Sequence, residues 1–190
     1  MKRKMFTLFL IAFLFTTLFA FQPVAFGDDT LALTAEDFAG AKNLVDNGDF
    51  EKGKMRWTFQ VHDPASAKFD IDSKTSISGK RTAKFPIGGG GSEGWHVELF
   101  NLFPMKQGKT YMLSFKAKAA ADRMINVLIQ QNNSPYDPYF EEKFNLTTEV
   151  QTYTFFWTAE VGDPNTRVNF GMGGHSVDVW LDDVEVLEKD

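Results

Sequence analysis

Apolar and polar residues alternate with a period of two in almost every hydrophobic segment of this chain. Residues 111–119, 125–130 and 152–158 all place their large apolar side chains at odd positions and mostly polar ones between them. This period is typical of a β-strand with one buried face. Glycine and proline interrupt the pattern at the short intervals of an all-β fold, and no segment carries a helical stripe. We therefore predict one all-β domain of about ten strands, a β-sandwich jelly roll of two antiparallel sheets.

The first 27 residues have the composition of a signal peptide. A basic start, Lys2–Lys4, precedes the apolar run Met5–Phe21, and small residues at Ala25–Gly27 precede Asp28. A retained membrane anchor is the alternative, but the run is marginal for a span of about 20 residues. We predict a signal peptide at 1–27, a partly disordered spacer at 28–41 and a folded module at 42–190. The module would be secreted and extracellular, with no membrane contact after cleavage.

The charge of the mature chain excludes several partners. Residues 1–27 hold three of the 20 basic residues and none of the 25 acidic ones, so 17 basic residues remain and the net charge becomes −8. Nucleic acids and anionic membranes require clustered lysine and arginine, so neither is an expected partner. The chain has no cysteine. Its stability must therefore come from the core or from a metal rather than from disulfides.

Two short acidic phrases lie near the ends of the predicted domain. Residues 43–51 read NLVDNGDFE and residues 179–186 read VWLDDVEV, so each places carboxylates in an apolar, strand-like run. Strands from opposite ends of a sandwich often pair, and clustered oxygens bind a hard cation. The inward parity of the second phrase also switches between Leu181 and Val184. A switch of this kind predicts a β-bulge at Asp182-Asp183.

A run of four glycines, Gly88–Gly91, precedes the most informative aromatic residue. No Lys-Ser/Thr pair follows the glycines, so the run is not a phosphate-binding P-loop. We interpret it as a flexible loop that places Trp95 at the exposed end of a strand. The alternative is that Trp95 is an ordinary core residue. An exposed indole is a flat apolar plate that can stack on the apolar face of a pyranose. Val97 and Leu99 would point inward, and His96 and Glu98 outward.

The two acidic phrases resemble the first and last strands of secreted carbohydrate-binding modules of families 4, 9, 16 and 22. The resemblance extends from Lys42 to Glu188. It implies a structural calcium ion held by the Glu51 and Asp182 carboxylates and by the backbone carbonyls of Asp49 and Lys80, with Asp183 as the alternative to Asp182. The three histidines, His62, His96 and His175, lack ligand spacing, so a zinc site is not expected.

The same resemblance implies a sugar-binding groove on the concave sheet. Trp95 and Glu98 would line it, and Asn126, Gln130 and Asn169 would form its floor. A second aromatic residue would close the far side, with Tyr136 the first choice and Tyr139 the second. The sequence departs here from the family pattern, in which a Phe and a downstream Arg are common. Of the other tryptophans, Trp57 and Trp157 are predicted core residues, and Trp180 is either second-layer packing or groove-facing.

The sequence favours a non-catalytic binder of soluble polysaccharide chains, such as β-glucan or xylan. A glycosidase needs two facing carboxylates, and only Glu98 is predicted to lie in the groove. No nucleophile elbow is present either. Two alternatives remain, which are a jelly-roll hydrolase or lyase and a structural or adhesion sandwich that contacts protein. We expect a monomer.

Overall fold

The computed structural model describes residues 32–189, and the predicted signal peptide lies outside them. The described chain forms twelve strands, of which three are very short, and two short 3-10 helices. The strands are β1 Thr58–Val61, β2 Ser66–Ala67, β3 Asp70–Asp72, β4 Thr82–Phe85, β5 Ile87–Gly89, β6 Val97–Met105, β7 Thr110–Ala119, β8 Arg123–Gln130, β9 Pro138–Leu146, β10 Gln151–Thr158, β11 Asp163–Gly171 and β12 Val179–Glu188. The 3-10 helices cover Ala35–Phe38 and Gly94–His96. Neither is long and apolar enough to cross a membrane.

Two five-stranded antiparallel sheets form the sandwich. The front sheet has the order β1-β6-β11-β8-β9, and the back sheet has the order β10-β7-β12-β4-β3. Strands β2 and β5 pair separately as a small ribbon. The predicted β-sandwich jelly roll of two antiparallel sheets is confirmed.

The inward faces of the two sheets meet in an aromatic core. Trp57 and Trp157 are both buried there, as predicted. The Trp57 ring stacks on Phe50 at a centroid distance of 5.0 Å, and the Trp157 ring stacks on Tyr111 at 5.1 Å. Each such ring removes a large apolar area from water and adds a favourable pair geometry. The core therefore holds the sheets together without a disulfide.

The first acidic phrase contacts the last strand but is not a strand itself. Asn43 makes an isolated antiparallel bridge with Leu187, and the following residues form turns. A β-carbon at Gly48 would overlap the carbonyl oxygen of Val184, so only glycine permits this approach. The prediction that the two phrases meet is confirmed, whereas the strand-like reading of residues 43–51 is wrong. The predicted bulge is also confirmed, because the register of β12 against β7 shifts between Asp182 and Glu185.

The segment predicted as a spacer contributes to the folded unit. Phe38, in the first 3-10 helix, is only 2% exposed and packs on Met112 and Leu187 of the back sheet. Its ring also stacks on Phe156 at 5.7 Å. The compact unit extends from Leu33, so residues 33–41 pack with the module that was predicted at 42–190.

Trp180 lies on the outer face of the back sheet. The register of β12 places it between Lys84 of β4 and Lys118 of β7. Both ammonium groups lie over its ring, at 4.9 and 5.3 Å from the centroid, and its indole N–H donates to Asp72. The predicted alternatives, second-layer packing or a groove position, are therefore both wrong.

Candidate functional site

A groove of about 660 Å³ lies on the outer face of the front sheet. Strand register arranges its floor in three rows. Glu98, Gly171 and Asn126 lie side by side in the first row. Asn169 and Leu128 follow in the second row, and Arg167 and Gln130 in the third. Successive rows are two residues apart, so the three rows cover about 13 Å along the strands.

A buried hydrogen bond joins the first two rows. Asn169 is 1% exposed, and its side-chain amide donates to Glu98 Oε1 at 2.6 Å. The second carboxylate oxygen of Glu98 lies 3.7 Å from His62 Nε2. Because the Asn169 nitrogen is directed at Glu98, its Oδ1 atom is left with no partner among residues 32–189. A buried acceptor without a donor is costly, and this oxygen is closed off from solvent in the floor of the groove.

Trp95 stands at one end of the groove with 53% of its surface exposed. It belongs to the 3-10 helix at Gly94–His96, and His62 contacts its ring edge-to-face at 5.5 Å. The loop before it is closed by His96, whose Nδ1 accepts the backbone N–H of Ser92 at 3.1 Å. Gly91 has a φ of +68°, and a β-carbon there would overlap the His96 ring. His96 is thus a buried loop-closing residue and not the outward-facing residue that was predicted.

A buried arginine supports this loop from behind. The Arg123 guanidinium donates to four backbone carbonyls of the segment after β11, those of Met172, Gly173, His175 and Val177. That segment bonds to the Trp95 loop, since the Gly173 N–H donates to the Gly94 carbonyl at 2.8 Å. Burial lowers the pKa of Arg123 to about 10. The side chain remains a cation at neutral pH, and its N–H groups supply hydrogen bonds to carbonyls that lie outside the strands.

Tyr136 stands at the other end of the groove and is 49% exposed. It lies in the loop between β8 and β9, and its backbone φ is +64°. The guanidinium carbon of Arg167 lies 4.9 Å from its ring centroid and 3.9 Å from that of Phe100. Tyr139 instead packs against the core and donates its hydroxyl to Asp163 at 3.0 Å. Of the two predicted tyrosines, only Tyr136 lines the groove.

Six of the seven predicted sugar-contacting residues therefore line one groove. They are Trp95, Glu98, Asn126, Gln130, Tyr136 and Asn169.

Sequence reasoning missed several groove residues. These are Gln60, His62, Glu93, Leu128, Glu141 and Arg167. The prediction that Glu98 is the only groove carboxylate is wrong, because Glu141 pairs with Leu128 on the outward parity and Glu93 lies in the Trp95 loop. Arg167 shares the parity of Asn169, and that signal could have identified it.

The two carboxylates that were predicted to bind calcium, those of Glu51 and Asp182, contact the same loop, residues 76–82. This loop lies away from the groove. Glu51 Oε1 accepts the backbone N–H groups of Lys80 and Arg81 at 2.6 and 3.1 Å. Asp182 Oδ2 accepts the Ser78 N–H and the Thr82 hydroxyl at 3.1 and 2.6 Å. Asp182 is fully buried, and desolvation raises its pKa to about 6. A buried carboxylate with a raised pKa is one that a nearby cation would stabilise.

The remaining predicted metal ligands differ in how well they fit. Asp183 bonds Lys116 Nζ at 2.8 Å, so its carboxylate already has a cationic partner. Asp49 accepts the Glu51 N–H through its side chain. In residues 32–189, no three acidic or histidine side chains are arranged so that they could hold a metal ion by themselves. The two carboxylates that remain, those of Glu51 and Asp182, are hard oxygen donors that contact one loop. Ca²⁺ binding there would need backbone carbonyls to complete the shell.

Comparison with known proteins matches this fold and groove to one family. The carbohydrate-binding domain model of the CBM 4/9 type matches residues 42–178. Endoglucanase C of Cellulomonas fimi is 30% identical over an alignment of 165 positions that covers 81% of this chain and 14% of the endoglucanase. The chain thus spans a small part of that relative. The chain belongs to the carbohydrate-binding domain family.

Solved structures agree with the assignment. A CBM4 module superposes with a TM-score of 0.66 at 29% identity, covering 76% of this chain and 99% of the module. The second N-terminal cellulose-binding domain of Cellulomonas fimi β-1,4-glucanase C superposes with a TM-score of 0.61 at 20% identity, covering 80% and 97%. At that identity the second likeness concerns the fold alone.

Proposed function

We propose that this domain binds single chains of a soluble β-glycan, such as β-glucan or xylan, along the front-sheet groove. The observation that carries the proposal is the pair of half-exposed aromatic side chains, Trp95 and Tyr136, at either end of one polar groove. An aromatic plate stacks on the apolar face of a pyranose, and polar groups between the plates exchange hydrogen bonds with its hydroxyl rim. Family membership supports a carbohydrate ligand.

The polar floor supports a neutral, hydroxyl-rich ligand. Asn169 Oδ1 is buried and has no donor among residues 32–189, so a small movement of this side chain on binding would let a sugar hydroxyl supply one. The amides of Asn126 and Gln130 lie in the neighbouring rows and can both donate and accept. Two stacks and a few exchanged hydrogen bonds must offset the ordering of an oligosaccharide. The dissociation constant is expected between about 1 mM and 1 μM.

We also propose that binding is not followed by catalysis. Glycoside hydrolysis needs one carboxyl group as acid and another as base or nucleophile. Glu98 is only 8% exposed, and its Oε1 already accepts the side-chain N–H of Asn169, so this carboxylate serves the floor of the groove rather than facing a second carboxylate across the sugar. Glu93 and Glu141 also line the groove, and this is the observation that favours a hydrolase as the second candidate. Release of reducing ends from a soluble glycan would establish the second candidate.

A structural calcium ion and export are further parts of the proposal. Glu51 and Asp182 would hold the ion at residues 76–82, where it would stabilise the buried carboxylate without contacting the glycan. Export with cleavage before Asp28 is proposed from the composition of residues 1–27. The mass of the protein recovered from culture medium would test the cleavage site.

The direct test is an affinity-gel panel of soluble β-glucans, xylan and mannan, each run with and without EDTA. We expect retardation on at least one glycan, unchanged by EDTA at a temperature at which the domain stays folded. Soluble chains should be preferred over crystalline cellulose, because a groove with a plate at each end encloses one chain. Migration unaffected by every glycan, for a protein with a cooperative melting curve, would refute the assignment and favour a protein partner.

A further inference from the structure

The arginine at the Tyr136 end of the groove has an unusual environment. Arg167 is 8% exposed in the third row of the groove floor. Its guanidinium makes no ion pair within 4.0 Å in residues 32–189. The cation is instead held against the faces of Phe100 and Tyr136. A charge this buried needs compensation, and here two aromatic rings and an amide supply it.

Arg167 contacts the β8–β9 loop at two points. Its Nε donates to Asn132 Oδ1 at 2.7 Å near the start of the loop, and its plane lies over the Tyr136 ring near the end. The loop's backbone–backbone bonds run from the Tyr136 N–H to the Asn133 carbonyl and from the Gln131 N–H to the Asp137 carbonyl. These fix the backbone but not the tyrosine ring.

The Tyr136 ring has few other contacts. Within residues 32–189 no aromatic pair includes it, and it is not among the side chains that pack against the core. The residue also adopts a left-handed backbone conformation, which is unfavourable for a side chain with a β-carbon. A ring in such a position keeps one orientation only if a neighbour holds it. Arg167 is the neighbour that the contacts identify.

We propose that Arg167 is a positioning residue that holds Tyr136 as a fixed plate over the groove. The guanidinium packs on Phe100 of the front sheet and on the Tyr136 ring. The Tyr136 ring would in turn stack on the glycan. The arrangement needs the planar, delocalised cation of arginine, because the compact ammonium of lysine cannot stack on two rings at once. The inference rests on the proposed glycan-binding function, since it explains how one plate of that site is prepared before the ligand arrives.

A double-mutant cycle on glycan affinity tests the proposal. Arg167→Lys keeps the charge and removes the plane, and Tyr136→Ala removes the plate. We expect each single variant to weaken binding about tenfold in calorimetry, and Arg167→Lys to have less than about a twofold effect when Tyr136 is already alanine. Arg56→Lys, an exposed arginine that pairs with Asp46, is the matched control and should leave affinity unchanged. Independent, multiplicative losses would overturn the proposal and make Arg167 a direct glycan contact.

A second readout uses the free protein and does not depend on any ligand. In Arg167→Lys, the chemical shifts of the Tyr136 ring should move toward those of a solvent-exposed tyrosine, and the ring should become more mobile. The melting temperature should change little. An unchanged ring signal would overturn the positioning role even if no glycan bound. Absence of binding by the parent protein would instead refute the proposed function, so the two failures are distinguishable.

Discussion

Replacement of Trp95 by alanine is the most direct perturbation of the groove. Trp95 exposes 53% of its surface, which is about 130 Å² for a large aromatic side chain. A stacked pyranose covers one face, or about 65 Å². At about 25 cal/mol/Å² this contributes about 1.6 kcal/mol, and stacking geometry adds about 0.5 kcal/mol. The expected loss is about 2 kcal/mol, or about a 30-fold weaker dissociation constant.

Isothermal titration with a soluble β-glycan oligosaccharide measures this loss. Trp180→Ala is a matched control, because Trp180 lies on the outer face of the back sheet beneath two lysines and away from the groove. It should change the dissociation constant less than about twofold. Parental affinity in a folded Trp95→Ala protein, for every glycan in the panel, would refute the stacking argument.

Three further predictions concern stability. Calcium at a hundredfold excess over its dissociation constant should add about 2.7 kcal/mol to the free energy of unfolding. EDTA should therefore lower the melting temperature by about 8 °C, and in Glu51→Ala the melting temperature should be the same with and without EDTA. The pKa of Asp182 is raised to about 6 in the folded protein, above its ordinary value. In calcium-free buffer the free energy of unfolding should therefore fall as the pH rises from about 4 to about 6, and Asp182→Asn should remove this fall. Phe38→Ala should lower the free energy of unfolding by about 3 kcal/mol, because the ring is buried against Met112 and Leu187.

Each stability prediction has an outcome that would contradict it, and the calcium prediction also has a control variant. Glu142→Ala removes an exposed carboxylate on β9 and should leave the EDTA effect intact. An EDTA effect that persists in Glu51→Ala would place calcium elsewhere. A stability profile between pH 4 and pH 6 that is the same in parent and Asp182→Asn would assign the titration to other groups. Parental denaturant midpoints for Phe38→Ala would mean that residues before Lys42 do not contribute to the fold.

Much of the fold follows from local patterns in the sequence. The period-two alternation in residues 111–119 and 152–158 identified β7 and β10 because each strand has one buried face. The parity switch after Leu181 located the bulge for the same reason. The conformation of residues 43–51 was harder to predict, because a turn that packs against a distant strand can be as apolar as a strand. Their contact with β12 depends on residues more than 130 positions away.

The groove was predicted less completely than the fold. Asn126, Gln130 and Asn169 were found because they alternate with core residues on their own strands. Glu141 was missed because β9 is largely exposed on both faces, so its alternation is weak. Trp180 was misplaced because parity shows which face of a strand a residue occupies, but not which sheet contains the strand. Strand order is a property of the whole chain, and no local pattern encodes it.

The bridge between Asn43 and Leu187 brings the two extremities of the sandwich together. Lys189 Nζ also donates a hydrogen bond to Asp37 at 2.9 Å. This contact lies beside the back sheet, on the side of the sandwich opposite the groove. A short peptide from residue 189 to residue 37 would therefore cyclise the backbone, and new termini could be opened at the turn after Lys106. Copies of such a permuted module joined in tandem would bind one long polymer with raised avidity, because linkage makes the second binding event intramolecular.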